Sequence, residues 1–273
     1  MSGNALKIIA IVCMAVDHVA WVFFPGDNME PLTIVMHVIG RTTAPIMIFF
    51  ISEGYHYTRN RKKYLGRLLL FSAISQIPYL MIFSDMVVIP GIPTMNVIWP
   101  FAMGVLALMV DQGDILPDIK PWQRVVLTWV FIALALPSSW SMPAALAIFF
   151  MGRQWGNIKG QMITMAQFLA IYAVICGFLF NLTFGLIHIG VVIPILLLAF
   201  LYNGTRGTVG GNAMKWLFYI FYPAHLLLLG LITIYCGDGA FVSPGIVGSL
   251  FILASLVSAI AIFIFEKKRV AGE

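Results

Sequence analysis

Asp17, His18, His37, Arg41, Glu53, His188 and His225 all stand inside otherwise apolar stretches of the chain. An ionisable side chain in hydrocarbon is costly to keep, so each one marks a candidate relay, pathway or reacting centre. His18 leads this group, because an imidazole acts as a base or nucleophile near neutral pH when a carboxylate or guanidinium tunes it. Asp17 precedes it directly, but neighbouring side chains on a helix diverge by about 100°, which aims Asp17 at a different partner. His37 and Arg41 are four residues apart and share one helix face. Their depth matches that of Asp17 and His18, so the four are expected to cluster between two adjacent helices, with Asp17 set against Arg41. The plainer reading is a buried ion pair that only fixes packing. Taken singly, His37 and His188 read as packing histidines.

Further along, Phe221-Tyr222-Pro223-Ala224-His225 puts Tyr222 and His225 on one helical face, and Pro223 leaves a backbone carbonyl without its usual donor. Such a segment suits the lining of a cavity, although aromatic-rich helices are common. Asn96 opens another apolar run, either as a simple cap or as a donor into the same cavity. Arg59, Arg61, Lys62 and Lys63 follow the second apolar run among Tyr55, His56, Tyr57 and Tyr64. This basic, aromatic stretch would anchor at a membrane surface or clamp phosphates. Arg206, in a glycine-bearing turn, adds a second basic loop. Neither loop has the form of a recognised phosphate loop.

The elements that must carry these residues are dictated by composition. Of 273 residues, 61% are hydrophobic and 10% charged, and the mean hydropathy of +0.96 is beyond what a water-soluble core can hide. The solvent is therefore the lipid bilayer. Apolar runs at 6–24, 33–53, 64–83, 94–110, 124–137, 141–151, 162–180, 184–202, 214–236 and 244–265 predict an all-α, polytopic transmembrane bundle of about ten spans, a single membrane domain over 1–273. The short fifth and sixth runs, parted by Pro137, Ser138, Ser139 and Trp140, also suit a re-entrant hairpin.

The positive charges orient the chain. Lys7, then Arg59 to Arg67, Lys120 and Arg124, Arg153 and Lys159, Arg206 and Lys215, and Lys267 to Arg269 all fall in alternate loops. The opposite loops carry Asp27, Glu30, Asp85 and Asp238 as their only charges, and Arg41 alone departs from the pattern. Both termini are thus expected in the cytoplasm. The first helix reads as retained, since no small-residue cleavage site follows it. Net charge of +5 does not argue for nucleic acid, because the basic residues lie in short loops rather than on one stripe. Cys13, Cys176 and Cys236 lack metal-type spacing and read as packing residues; no metal site is expected.

Several of these segments together resemble the TraX family. They are Leu6-Lys7-Ile8-Ile9-Ala10 leading through Met14 to Asp17-His18, Gly40-Arg41 with Pro45, Glu53-Gly54, and Thr58-Arg59-Asn60-Arg61-Lys62-Lys63-Tyr64. Asn96-Val97-Ile98, Leu201-Tyr202-Asn203-Gly204 and Phe221-Tyr222-Pro223 with His225 and Leu226 continue the match in order, from about residue 6 to 230. The first helix is also similar to that of the wider membrane acyltransferases, which place a His late in the opening span. TraX-like proteins are associated with conjugal transfer, and the founding activity is N-acetylation of the pilin amino terminus.

The resemblance implies an inner-membrane, multi-pass acetyltransferase that takes acetyl-CoA as donor and a pilin or other amine as acceptor. On that reading His18 is the base or acetyl carrier, Arg41 with Asn96 or Tyr222 stabilises the oxyanion, and His225 relays protons. Asp17 holds Arg41, while Arg59, Arg61, Lys62, Lys63 and Arg206 receive the donor's phosphates. A proton-coupled transporter or flippase uses the same residue types, although no inverted repeat is evident. An assembly platform for a secretion or pilus complex explains the charge asymmetry and leaves the buried polar residues without a purpose.

Overall fold

A computed structural model of the chain describes residues 1–24, 30–84, 88–207 and 213–236. Within them the regular structure is helical, with isolated bridges only, between Ile89 and Ile92 and between Met95 and Ser138. The helices are α1 (Gly3–Phe23), α2 (Pro31–Gly40), α3 (Thr43–Tyr57), α4 (Arg61–Phe83), α5 (Ile98–Asp111), α6 (Pro121–Ala133), α7 (Ser141–Arg153), α8 (Ile158–Leu179), α9 (Leu182–Leu201) and α10 (Ala213–Cys236).

Among the described residues, 6 helical stretches are long and apolar enough to cross a membrane: α1, α2 with α3, α4, α8, α9 and Trp216–Tyr235 of α10. The chain is a multi-pass membrane protein. Three further expected spans are also helices, but α5 has 14 residues and α6 and α7 have 13 each, short of the roughly 20 that a straight crossing requires. The expected span at 244–265 lies outside the described residues.

Local chemistry sets the helix ends. Ser2, Asn60 and Asn157 accept from the backbone N–H groups of Ala5, Lys63 and Gly160 and so cap α1, α4 and α8. The second apolar run, expected as one helix, is broken at Arg41 and Thr42. Pro45 explains the break, since it has no N–H to offer the carbonyl of Arg41. The interruption is stitched rather than loose: Arg41 Nε reaches the His37 carbonyl at 3.4 Å, and Thr43 Oγ1 donates to the Ala10 carbonyl on α1 at 2.9 Å. In α9, a 3-10 turn at Ile187–Val191 and a π turn at Leu197–Leu201 interrupt the α geometry on either side of Pro194.

The described residues divide into two compact units, one made of those in Met1–Met47 and from Leu186 to Cys236, the other of those in Ile48–Gly185. In the first unit α1 packs on α2 and on α10, and α2 packs on the 3-10 turn of α9. That last approach requires Gly190, because a Cβ there would lie 2.2 Å from the Val38 carbonyl oxygen. In the second unit α5 is the central helix, flanked by α4, α6 and α7, with α8 against α7. Its residues from Pro100 to Val110 are buried almost without exception, as an apolar-all-round helix must be.

Candidate active site

The first unit brings together residues that stand far apart in the chain. Asp17 and His18 leave α1 in different directions, Asp17 toward α2 and His18 toward α10. The Asp17 carboxylate accepts from Arg41 Nη2 at 3.0 and 3.2 Å and from His37 Nδ1 at 2.8 Å. Side-chain exposure is 2% for His37, 7% for Arg41 and 13% for Asp17, so the ion pair is nearly dry. The Trp21 ring lies 4.7 Å from that of His37 and covers it. Gly40 makes the cluster possible: a Cβ at this position would stand 2.3 Å from Asp17 Cβ.

Beside this ion pair lies a histidine pair. His18 Nδ1 is 2.6 Å from His225 Nε2, and His225 Nδ1 is 2.7 Å from the Phe221 carbonyl oxygen. The two rings are within 8° of coplanar, as an in-plane N–H···N bond requires. The carbonyl can only accept, so His225 carries its proton on Nδ1 and accepts at Nε2 when neutral. His18 then donates from Nδ1, and its Nε2 holds a lone pair. The chain of bonds from the Phe221 carbonyl through His225 to His18 thus fixes the tautomer that a general base needs. Tyr222 is buried with its ring 6.4 Å from that of His18 and 5.8 Å from that of His225.

His188 is buried on the 3-10 turn of α9. Arg206 is exposed in a loop that fastens to the start of α1, where Gly3 and Asn4 donate backbone N–H groups to the carbonyls of Thr205 and Arg206 at 2.8 and 2.9 Å. Those first helical donors, which would otherwise suit an anion, are therefore spent on the loop.

The second unit holds the other predicted residues. Asn96 is buried, and its amide donates to the Ser72 carbonyl at 2.7 Å and to Gln76 Oε1 at 2.8 Å. Its Oδ1 accepts from the Ile98 N–H at 3.1 Å, so it closes a polar network just ahead of α5. Arg61 is paired with Asp114, which also accepts from the Tyr55 hydroxyl, and its guanidinium lies 4.5 Å over the Tyr55 ring. Arg59, Lys62 and Lys63 are exposed. His56 Nε2 is 2.8 Å from the Gly152 carbonyl, and the His56 ring stacks on Trp155 at 4.7 Å.

Sequence reasoning missed two parts of this arrangement. The spacing from Arg41 places His37 in the cluster, but not as a direct partner of Asp17, whose shell it completes. Asp114 and Trp155 were not singled out, because nothing in a polar loop or a lone tryptophan says which distant helix end it meets.

The model of the family described as TraX protein matches residues 2–233. A curated relative, the "Probable fimbrial assembly protein FimC, serogroup H1" of Dichelobacter nodosus, is 30% identical over 244 residues, covering 84% of this chain and 94% of the relative. No solved structure matches. With the family match extending over nearly all of the helical core and a relative aligned over most of both chains alongside it, the chain belongs to the TraX family.

Proposed function

We propose that this protein is an inner-membrane acetyltransferase that moves the acetyl group of acetyl-CoA onto an amine, with a pilin or another membrane-associated polypeptide as acceptor. Its N-terminus is cytoplasmic and about ten spans are used, as the charge pattern and hydropathy suggest. Support comes from membership of the TraX family and from a relative whose name places it in fimbrial assembly. The observation that carries the chemistry is the bond between His18 and His225, which puts a lone pair on His18 Nε2.

In this reaction His18 Nε2 takes a proton from the acceptor amine as its nitrogen attacks the thioester carbonyl. The C–N bond forms, the C–S bond breaks, and the proton passes from Nε2 to the departing thiolate. His225 accepts the Nδ1–H bond of His18 throughout and stabilises the imidazolium that forms in between. The Tyr222 hydroxyl is the candidate donor to the oxyanion. Arg41, its charge compensated by Asp17, sets the local potential and holds α2 in place. The exposed cations Arg59, Lys62 and Lys63 bind donor phosphates, and Arg206 offers a further cation in the first unit.

The test is to incubate purified full-length protein in detergent with isotopically labelled acetyl-CoA and membrane peptides that bear a free amino terminus. Thiol release and an acetylated product by mass spectrometry are expected, and His18→Ala lowers turnover by about 10²–10⁴-fold. Unchanged turnover in His18→Ala removes the assignment of the base. Movement of a solute across proteoliposomes without covalent change would replace the enzyme reading with a transporter.

A further inference from the structure

The stack of His56 and Trp155 in the second unit has no part in the acyl-transfer chemistry, and its construction differs from that of an ordinary membrane-surface tryptophan. An interfacial Trp usually keeps its ring in hydrocarbon and turns its N–H to the headgroups. Here the Trp155 side chain lies against that of Glu53, which is buried. Its ring lies within 10° of parallel to His56 at 4.7 Å, and Tyr57 meets it edge-on at 5.9 Å. The bond from His56 Nε2 to the Gly152 carbonyl fixes the lower ring of the stack. Trp155 is nevertheless 48% exposed.

Cations stand close to Trp155 and to its neighbour Tyr57 along the chain. The Arg153 side chain, at the end of α7, is 51% exposed and touches Asp111 only at 3.7 Å. Arg59, Lys62 and Lys63, which follow Tyr57 in the chain, are exposed as well, and among the described residues none of the three has an acidic partner. A rigid aromatic platform beside several exposed positive charges is what a phosphate-bearing purine needs, the base stacking and the phosphates meeting guanidinium and ammonium groups.

We infer that Trp155, held by His56 and Glu53, is the purine-stacking platform for the nucleotide half of coenzyme A, with Arg153 and residues 59–63 supplying cations to its phosphates. This rests on the acetyl-CoA reading above. It adds three residues, Glu53, His56 and Trp155, to the donor site and gives the basic segment a base-recognition element that phosphates alone do not require.

Calorimetric titration of the full-length protein in detergent with coenzyme A, and separately with adenosine 3′,5′-bisphosphate, tests it. Both are expected to bind the wild type; Trp155→Ala weakens both on the order of tenfold or more, and Trp155→Phe, which keeps a stacking face, stays within about threefold. Equal loss in Trp155→Ala and Trp155→Phe would show a packing role and overturn the proposal. Wild-type affinity in Trp155→Ala would overturn it while leaving the donor reading intact. Failure of the wild type to bind coenzyme A at all would bring down the donor reading, and the platform would lose its ligand with it.

Discussion

Asp17 in the first unit and Asp114 in the second are each held by an arginine and by one ring-bearing side chain, His37 for the former and Tyr55 for the latter. Their surroundings differ. Asp17 and Arg41 stand inside apolar helices, whereas Arg61 opens α4 and its side chain is 38% exposed. Solvent lowers the cost of the second pair and also its worth, since an exposed pair exchanges one set of hydrogen bonds for another. The first pair has no such exchange. Its carboxylate is served by three bonds because each lone pair left unserved in a dry site is expensive. Similar groups therefore build a buried, fully bonded cluster in one place and a modest clasp between α3, α4 and the loop after α5 in the other.

The sharpest way to break that comparison is to remove one charge from each pair. Arg41→Met strands a carboxylate in a nearly dry site and is expected to cost about 3–5 kcal/mol of unfolding free energy. Reversible unfolding in mixed micelles reads this directly. The double variant Asp17→Asn with Arg41→Met, which removes both charges, should recover most of the loss. A double variant as unstable as Arg41→Met alone would mean that the guanidinium matters for its shape rather than its charge.

A smaller effect is expected at Gly40. Alanine there forces its Cβ toward Asp17, and the helices must part or the Asp17 side chain must turn away. Overpacking of this kind costs about 1–3 kcal/mol. Because the collision is with Asp17 itself, the penalty should shrink in the Asp17→Gly background by more than the error of measurement. Independent, additive penalties would show that α1 and α2 can separate without disturbing the carboxylate.

Much of this arrangement was legible before any coordinates. The intramembrane cost of charge singled out Asp17, His18, Arg41 and His225, and the divergence of adjacent helical side chains separated the task of Asp17 from that of His18. The helices followed from hydropathy, since lipid leaves a backbone few other ways to satisfy its hydrogen bonds. What escaped is of two kinds. The break at Arg41 and Thr42 depends on a missing donor at Pro45, a local event inside a run whose hydropathy never changes. The contacts of His18 with His225, of Tyr55 with Asp114 and of His56 with Trp155 join segments far apart in sequence, and periodicity along one helix says nothing about which other segment it faces. The identity of His18 as a base, moreover, is a property of the pair: the Phe221 carbonyl selects the tautomer of His225, which in turn selects that of His18.

The smallest expected change is at Arg61, and salt makes it diagnostic. Arg61→Met should cost about 0–1 kcal/mol at low ionic strength, because the Tyr55 hydroxyl still serves Asp114 and water reaches the vacated side. Raising ionic strength from about 0.15 M to about 1 M shortens the screening length from roughly 8 Å to roughly 3 Å, so the difference between Arg61→Met and wild type should fall toward zero. The Arg41→Met penalty should be nearly unmoved over the same range, since mobile ions do not enter its site. If the two penalties respond to salt alike, the contrast in solvation between the two arginines is not what separates the pairs, and the dry character of the Asp17 cluster would have to be abandoned along with the cost assigned to it.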